Sequence, residues 1–154
     1  METNDITRWA ALSPLIVAVG HAWKRRVNQE LSNQNISAAT ALPIIMLMRQ
    51  RTPMRQCELA QVLGVEGPSL VRVIDGMEQN GFVRRITDPS DRRARLLVLA
   101  DAGYEVGIQV EKILADLRMS MLDSAAPDDV DATIRVFTLL ANRLGASPLD
   151  PAQT

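Results

Sequence analysis

The order of short elements in the middle of the chain constrains the fold more than any other feature. The periodicity of Gln56–Leu63 predicts a short helix that ends at Gly64. Gly67-Pro68 predicts the start of a second helix, because a proline in the first turn loses no backbone hydrogen bond. Asn80-Gly81 predicts its end, since glycine readily adopts the left-handed conformation after a helix. Two short helices joined by a tight turn form a helix-turn-helix.

Two candidate strands follow this pair of helices. Phe82–Thr87 and Arg95–Leu99 have the composition of strands, and Asp88–Asp91 between them is a typical turn sequence. They therefore predict a β-hairpin. A helix-turn-helix followed by a two-stranded ribbon is a winged helix.

Longer helices are predicted on both sides of this segment, because apolar residues recur there every three or four positions. Ser37 is a candidate N-cap for a helix that runs to about Arg49, with Pro43 either at a kink or in the first turn. Asp101 is a candidate cap of a long helix, and residues 123–129 break the helical pattern. The predicted apolar stripes are Leu12, Leu15, Val19, Trp23, Val27 and Leu31; Val106, Val110, Ile113, Leu117 and Met121; and Val130, Ile134, Phe137, Ala141 and Leu144.

The predicted fold is mainly α with a small β-hairpin: a winged helix-turn-helix flanked by N- and C-terminal dimerisation helices. We assign residues 36–100 to the winged helix, residues 1–35 and 101–146 to the helical dimerisation region, and residues 147–154 to a disordered tail. The stripe on the last helix repeats near 3.5 residues, and the first helix is apolar on two sides, so these helices indicate a homodimer. The alternative is a helical layer within one chain.

The distribution of charge along the chain favours a nucleic-acid partner more than the net charge of the whole chain does. The net charge is −1, yet residues 49–95 contain nine arginines and six acidic residues, a surplus of +3. Arginine is suited to bidentate contacts with phosphate and guanine. A surplus of this size also occurs on an ordinary solvated surface, so charge alone does not decide the function.

Most common enzyme chemistries lack the residues that they need. The chain has one histidine (His21) and one cysteine (Cys57), whereas an ordinary zinc site needs three or four such ligands. It contains no G-x-S-x-G motif, P-loop or dinucleotide-binding glycine motif. We therefore expect a protein that is not an enzyme and that holds no metal or other cofactor.

The apolar N-terminal stretch, residues 9–20, is not expected to be a signal peptide. Glu2 and Asp5 precede it with only Arg8 as a positive charge, and the stretch is too short to span a bilayer. One cysteine excludes an intrachain disulfide and suits a reducing compartment. We expect a cytoplasmic protein without a membrane partner.

The second helix of the helix-turn-helix has two distinct faces when it is projected at about 100° per residue. In such motifs the N-terminal residues of the second helix meet base edges in the major groove. Arg72 can donate a bidentate pair to guanine, Val71 can contact a thymine methyl group, and Ser69 is better suited to phosphate. The inward residues are Leu70, Val73, Ile74 and Met77; the outward residues are Pro68, Val71, Arg72, Asp75 and Gln79, with Ser69 beside them; and the candidate DNA contacts are Pro68, Ser69, Val71 and Arg72.

The hairpin tip offers a second set of candidate DNA contacts. A narrow A·T-rich minor groove favours an inserted arginine, and we assign that role to Arg93, with Asp91 orienting its guanidinium group. Arg92 and Arg95 are assigned to backbone phosphates. The alternative is a charged tip that only keeps the edge of the hairpin soluble.

These residues resemble the MarR family of bacterial transcriptional regulators, and most of all its SlyA subgroup. The motifs that carry the resemblance are Leu59-Ala60-x-x-Leu63-Gly64-Val65-x-x-Pro68-Ser69-Leu70-Val71-Arg72, Asp75-x-Met77-Glu78-x-x-Gly81-Phe82-Val83-x-Arg85, and Asp88-Pro89-Ser90-Asp91-Arg92-Arg93-Ala94-Arg95. The resemblance covers about residues 6–144. It implies an obligate dimer, two winged helices on one pseudo-palindromic operator, and release by a small aromatic or phenolic ligand.

The resemblance also implies an effector site between the helical layer and the winged helix. His21 and Lys24 of the first helix fall where SlyA-like relatives place basic ligand-contacting residues, and Trp23 between them is a further candidate ligand contact. Ala39, Ala41 and Ile45 of the second helix indicate a roomier and more apolar site than a salicylate-type pocket. Trp23 as plain core and His21 as a structural histidine are the alternatives.

Two other functions remain open at this point. The first is a thiol-based redox sensor, in which Cys57 at the start of the third helix would be the reactive residue. We expect Cys57 to be a small buried residue instead. The second is a winged-helix adaptor, which belongs to a different functional class because it binds protein and not DNA. Arg72 and the arginines of the wing disfavour the adaptor.

Overall fold

The computed structural model describes residues 3–50 and 52–145, with side chains from residue 10 onward. Within these ranges the chain forms six helices and three strands. Contacts divide the chain into a first unit that ends at Ala38 and a second that begins at Ala39. The elements are α1 (Thr3–Asn33), α2 (Ala38–Gln50), β1 (Met54–Arg55), α3 (Gln56–Leu63), α4 (Gly67–Gln79), β2 (Val83–Asp88), β3 (Asp91–Leu99), α5 (Asp101–Leu122) and α6 (Pro127–Leu144).

The first helix, α1, extends further toward the N-terminus than predicted and contains Pro14. The first half of its predicted apolar stripe is not covered within one chain, where Leu15 and Val19 are more than half exposed. Val27 and Leu31 are buried, so the predicted stripe is covered only in its C-terminal half. An apolar half-helix in water indicates that another surface covers it.

The second helix, α2, buries most of its length. Pro43 is buried in the second turn, so the prediction of a first-turn position is wrong, because the helix already begins at Ala38. The buried residues of α2 are Ala41, Pro43, Ile44, Ile45, Met46 and Leu47.

The wing is a three-stranded antiparallel sheet with the order β1-β3-β2. Met54 of β1 pairs with Leu97 of β3, and Val83 of β2 pairs with Leu99. Strand β1 was not predicted, because two residues are too few to show an alternating pattern. The structure confirms the predicted class, a mainly α winged helix, and adds this third strand.

The helix-turn-helix of α3 and α4 packs on this sheet around one apolar core. Leu59 of α3, Ile74 of α4 and Leu97 of β3 are each at most 1% exposed, and such a side chain contributes about 1.5–3 kcal/mol by its burial. Gly64 and Gly81 have φ values of 63° and 72°, so both helices end in the predicted left-handed glycine. The predicted inward face of α4 is confirmed: Leu70, Ile74 and Met77 are buried and Val73 is half-buried.

Two glycines and one ion pair hold the long helix α5 against α2 and the wing. An added Cβ would come within 2.1 Å of the Phe82 carbonyl oxygen at Gly103, and within 2.7 Å of the Met48 sulfur at Gly107. Arg49 of α2 donates from Nε and a terminal nitrogen to Glu111 Oε1 at 2.9 and 2.6 Å. Close backbone approach therefore fixes where α5 leaves the wing.

The stripe predicted for α5 is only partly covered. Val110 and Leu117 are buried, whereas Met121 is 48% exposed. Asp101 is the first residue within α5, and Ala100 takes the N-cap position that we predicted for Asp101.

The last helix, α6, begins at Pro127, which opens this helix and does not break the preceding one. No described residue of α6 is buried, and Ile134, Phe137 and Leu144 of its predicted stripe are 45–79% exposed. The described helices include none that is long and apolar enough to cross a membrane. The tail predicted to be disordered, residues 147–154, lies outside the described residues.

Candidate nucleic-acid interface

The outward face of α4 is free of the protein core. Pro68, Ser69, Val71 and Arg72 are all exposed, and Val71 leaves 41% of its surface in water. The α4 N-terminus begins after Glu66, whose carbonyl oxygen accepts the amide hydrogens of Ser69 and Leu70 at 3.1 and 3.2 Å. Within the described residues, neither the Ser69 hydroxyl nor the Arg72 guanidinium has a partner. Both groups are available to a ligand that approaches this face.

The wing places its arginines on a strand and not at the tip of a loop. Strand β3 begins at Asp91, earlier than the predicted Arg95, so the turn is reduced to Pro89-Ser90. Asp91 Oδ1 accepts the amide hydrogen of Arg93 at 3.0 Å, so it orders the backbone there. The guanidinium contact that we predicted for Asp91 is not formed in the free protein. The register of the strand therefore sets where Arg93 projects.

Arg92 and Arg93 are exposed at the start of β3, and their guanidinium groups have no partner among the described residues. Arg95 is also exposed, and it donates to the Thr87 hydroxyl at 2.9 Å across the strand pair. Three arginines thus lie within five residues of one strand.

Asp88 anchors the wing turn from inside. It is 5% exposed, and its Oδ1 accepts the amide and hydroxyl hydrogens of Ser90 at 2.8 and 2.7 Å. Its Oδ2 accepts two hydrogen bonds from Arg55, at 2.9 and 2.5 Å. Hydrogen bonds from Ser90 and Arg55 lower the pKa of Asp88 from 3.8 to about 2. The carboxylate is therefore charged throughout the physiological pH range.

Arg85 connects β2 to helix α4. Its guanidinium group donates to Asp75 at 2.6 Å and also to Glu78, and its amide donates to Glu78 at 3.2 Å. Asp75 and Glu78 are one turn apart on α4. The arginine therefore bridges the helix and the wing.

The arginines of the basic segment fall into two groups that the sequence did not separate. Arg49, Arg55 and Arg85 are paired with carboxylates, and Arg51 lies outside the described residues. Arg84 was not predicted as a site residue, yet it is exposed and has no side-chain partner in the described part of the chain. Alternation along β2 could have identified it, because neighbouring residues of a strand point to opposite faces.

Cys57 is exposed, so the prediction of a small buried residue is wrong. Helix α3 buries Leu59 and Ala60, whereas Cys57 lies one turn before the exposed Gln61 on the other side of the helix. The thiol borders a cavity of about 290 Å³ between α3 and the wing. Arg55, Gln56, Arg85, Ala94, Arg95 and Leu97 also line this cavity.

The residues predicted to contact an effector lie on α1. His21 and Lys24 are exposed, and Trp23 leaves 37% of its surface in water. His21 and Lys24 are three positions apart and therefore share one side of the helix. Among the described residues, no three histidine, cysteine or acidic side chains come together as a metal site.

Comparison with known proteins connects this geometry to a family. The model of the MarR family matches residues 38–94, the segment that contains the helix-turn-helix and most of the wing. The crystal structure of transcriptional regulator PA3341 is 32% identical, covers 87% of this chain and 98% of that one, and has a TM-score of 0.79.

Structures of MarR from E. coli are also similar. The apo form of the wild-type protein is 26% identical, with a TM-score of 0.71 and coverage of 84% of this chain and 96% of that one. A mutant of the same protein complexed with operator DNA is 26% identical, with a TM-score of 0.72 and coverage of 84% and 93%.

Proposed function

The chain belongs to the MarR family of transcriptional regulators, and we propose that it is a dimeric repressor that binds a pseudo-palindromic operator and is released by a small aromatic or phenolic ligand. One observation carries the proposal: exposed guanidinium groups that have no partner in the described part of the chain lie on two elements of one winged helix, Arg72 on α4 and Arg92 and Arg93 on β3. Such a surface attracts the phosphate backbone and can read base edges. A similar protein, E. coli MarR, has a structure in complex with operator DNA.

We propose that α4 enters the major groove. Arg72 donates a bidentate pair to guanine, and the exposed Val71 contacts a thymine methyl group. Pro68 and Ser69 at the helix N-terminus meet the phosphate backbone, where the positive end of the helix dipole favours an anion.

In the same proposal the wing contacts the neighbouring minor groove. Arg93 is inserted, Asp91 orders the backbone from which it projects, and Arg92 and Arg95 contact phosphates. The short turn supports this role because it holds these arginines on a strand of fixed register.

The dimer is supported by apolar surface that the described part of one chain leaves open. Ile108 and Met119 of α5 and Ile134 and Leu144 of α6 are each 55–79% exposed. Large apolar side chains that stay exposed along two helices are what an interface with a second chain would cover. We propose that residues 1–35 and 101–146 form the dimerisation region, and that the twofold symmetry of the dimer matches an operator of two half-sites in the bacterial cytoplasm.

The effector is proposed to be an aromatic or otherwise apolar anion at His21, Trp23 and Lys24. The exposed indole of Trp23 offers a flat apolar wall, and His21 and Lys24 offer donors for a carboxylate or phenolate. A ligand of this kind releases DNA only if it prefers a conformation that DNA disfavours, so DNA must weaken its binding by the same factor.

The test is to recover genomic DNA fragments that the purified protein retains, to sequence them, and to measure affinity for the selected duplex at several salt concentrations. We expect tight binding that weakens steeply as salt rises, because phosphate contacts release counterions. Absent binding, or affinity that does not respond to salt, would overturn the proposal and favour the protein-binding adaptor.

A thiol-based sensor is the second candidate, and the exposure of Cys57 at a cavity lined by three arginines of the wing, Arg55, Arg85 and Arg95, favours it. A modified thiol in that cavity would alter the contact between α3 and the wing. Under this alternative, hydrogen peroxide or a disulfide reagent releases DNA from the wild type but not from Cys57→Ser.

A further inference from the structure

Two arginines of the basic segment are paired with carboxylates and join the wing to the helix-turn-helix. Arg85 of β2 reaches across to α4, where it is held by Asp75 and Glu78, and its side chain is only 24% exposed. The Arg85 amide donates to the same Glu78 at 3.2 Å, so both the backbone and the side chain of this strand residue are tied to the helix.

Arg55 makes the corresponding connection at the far end of the wing. It occupies the N-cap of α3, where its amide donates to Glu58 at 2.9 Å. Its guanidinium donates twice to the buried carboxylate of Asp88, which also holds the turn through Ser90. The outer end of the wing is therefore tied to the first helix of the helix-turn-helix.

We infer that Arg55 and Arg85 are positioning residues for DNA recognition, which hold the wing at a fixed distance from α4 so that the two reach DNA as one rigid reader. This inference rests on the proposed function and names residues outside the proposed DNA contacts. The links lie next to the contacting groups: Asp75 is one turn from Arg72, and the turn held by Asp88 leads directly into Arg92 and Arg93.

Rigidity matters here because a reader fixed in its bound geometry loses less conformational entropy on binding. The carboxylates that hold Arg85 lie at the protein surface, where ion pairs contribute little to stability. Asp88, the partner of Arg55, is buried but keeps two hydrogen bonds from Ser90 when Arg55 is removed. Neither arginine belongs to the apolar core of α3, α4 and the sheet. Loss of either pair should therefore leave the protein folded while the wing and α4 move independently. The effect is then expected in DNA recognition more than in stability.

The rival interpretation is that both arginines bind phosphates directly once DNA is present. The two interpretations differ in salt dependence, since each lost phosphate contact lowers the slope of log affinity against log salt by about 0.9. A positioning residue leaves that slope unchanged. Arg84→Met is the matched control for Arg85→Met, because it removes the same charge from the neighbouring residue, which is exposed and has no side-chain partner among the described residues.

The experiment measures the affinities of wild type, Arg85→Met, Arg55→Met and Arg84→Met for the selected operator duplex and for a random duplex of equal length. We expect Arg85→Met and Arg55→Met to reduce the preference for operator at least fivefold with an unchanged salt slope. A slope lowered by about 0.9 in these two variants would identify direct phosphate contacts and overturn the inference. Thermal unfolding of each variant verifies that it is folded.

A second measurement tests the coupling directly. Arg93→Ala should cost the wild type the full contribution of the inserted arginine. It should cost Arg55→Met or Arg85→Met at least threefold less, because a loose wing keeps its charges near the phosphates but no longer holds Arg93 in place in the minor groove. Equal losses in all backgrounds would contradict the inference. If Arg85→Met fails to fold, Glu78→Gln replaces it, since it removes one ion pair of Arg85 without removing a positive charge. Asp88→Asn replaces Arg55→Met in the same way.

For Glu78→Gln the two interpretations predict different changes in the ratio of operator to random-duplex affinity. Positioning predicts a lower ratio. Direct phosphate contact predicts tighter binding to both duplexes with an unchanged ratio, because phosphate contacts do not depend on sequence. DNA binding by the wild type distinguishes failure of this inference from failure of the proposed function. If the wild type binds no DNA, the proposed function fails; if it binds operator and the variants keep its preference, only the inference fails.

Discussion

Replacement of Gly103 by alanine should reverse the usual effect of a glycine-to-alanine change in a helix. Alanine in a helix interior is favoured over glycine by up to about 1 kcal/mol. At Gly103, however, the new Cβ would lie 2.1 Å from the Phe82 carbonyl oxygen and 2.7 Å from Leu99 Cδ2. That carbonyl is held in place because it accepts the Ala100 amide hydrogen at 2.9 Å. Overpacking costs typically 1–3 kcal/mol, and since backbone must move here, we expect a net loss of about 2 kcal/mol.

Two other glycines serve as matched controls for this prediction. At Gly107 the nearest atom is the Met48 sulfur at 2.7 Å, a flexible side chain, so Gly107→Ala should be close to neutral. At Gly76 nothing lies within 4 Å, so Gly76→Ala should stabilise the protein by up to about 1 kcal/mol. Urea denaturation at one fixed protein concentration measures all three, since the stability of a dimer depends on concentration. A Gly103→Ala protein as stable as Gly76→Ala would refute the close approach of α5 to the wing.

Four further predictions concern DNA, assembly, ligand and pH. Arg72→Ala should cost about 1–3 kcal/mol of operator affinity and relax the preference at one base pair of each half-site, as measured by titration of single-base operator variants. Deletion of Val130–Thr154 removes the exposed stripe of α6 and should abolish both the dimer and specific DNA binding; light scattering that finds the intact protein monomeric contradicts this. In a panel of aromatic acids titrated against the protein–operator complex, those that release DNA from the wild type should fail with His21→Ala/Lys24→Ala, and equal release from both proteins places the effector elsewhere. The lowered pKa of Asp88 stabilises the fold above about pH 4, and this contribution is lost as the pH falls toward 2. The stability difference between wild type and Asp88→Asn should therefore shrink over that interval when it is measured by urea denaturation at acid pH. A difference that stays constant would refute this prediction.

The faces of α4 show how much of the recognition surface a periodic pattern can predict. The spacing of Leu70, Ile74 and Met77 identified the buried side, and the structure confirms it with each residue at most 2% exposed. Once that side is fixed, the opposite side must face the solvent, so the exposure of Val71 and Arg72 follows from the geometry of a helix. The left-handed glycines at both helix ends were predictable for a similar local reason, since few other residues adopt that conformation.

Features that depend on distant residues were not predictable. Strand β1 exists because Met54–Arg55 pairs with residues of β3 that are more than 40 positions away, and its own two residues hold no pattern. The burial of Cys57 was predicted wrongly because α3 is short, and a few residues fix the orientation of a helix poorly until its neighbours are known. The early start of β3 follows from pairing with β2, which extends the ladder through a polar segment that has no strand composition.

The neighbouring residues Arg84 and Arg85 show why a charge count could not separate the arginines that are free to bind DNA from those that hold the structure. Both contribute equally to the surplus of the segment, but alternation on β2 leaves Arg84 in solvent and brings Arg85 to the carboxylates of Asp75 and Glu78. Some of the acidic residues that reduce the total charge of the segment are thus paired with arginines on the inner side of the wing. The charge that DNA can meet therefore depends on pairing across the fold, and a chain with a net charge of −1 can still present an arginine surface to DNA.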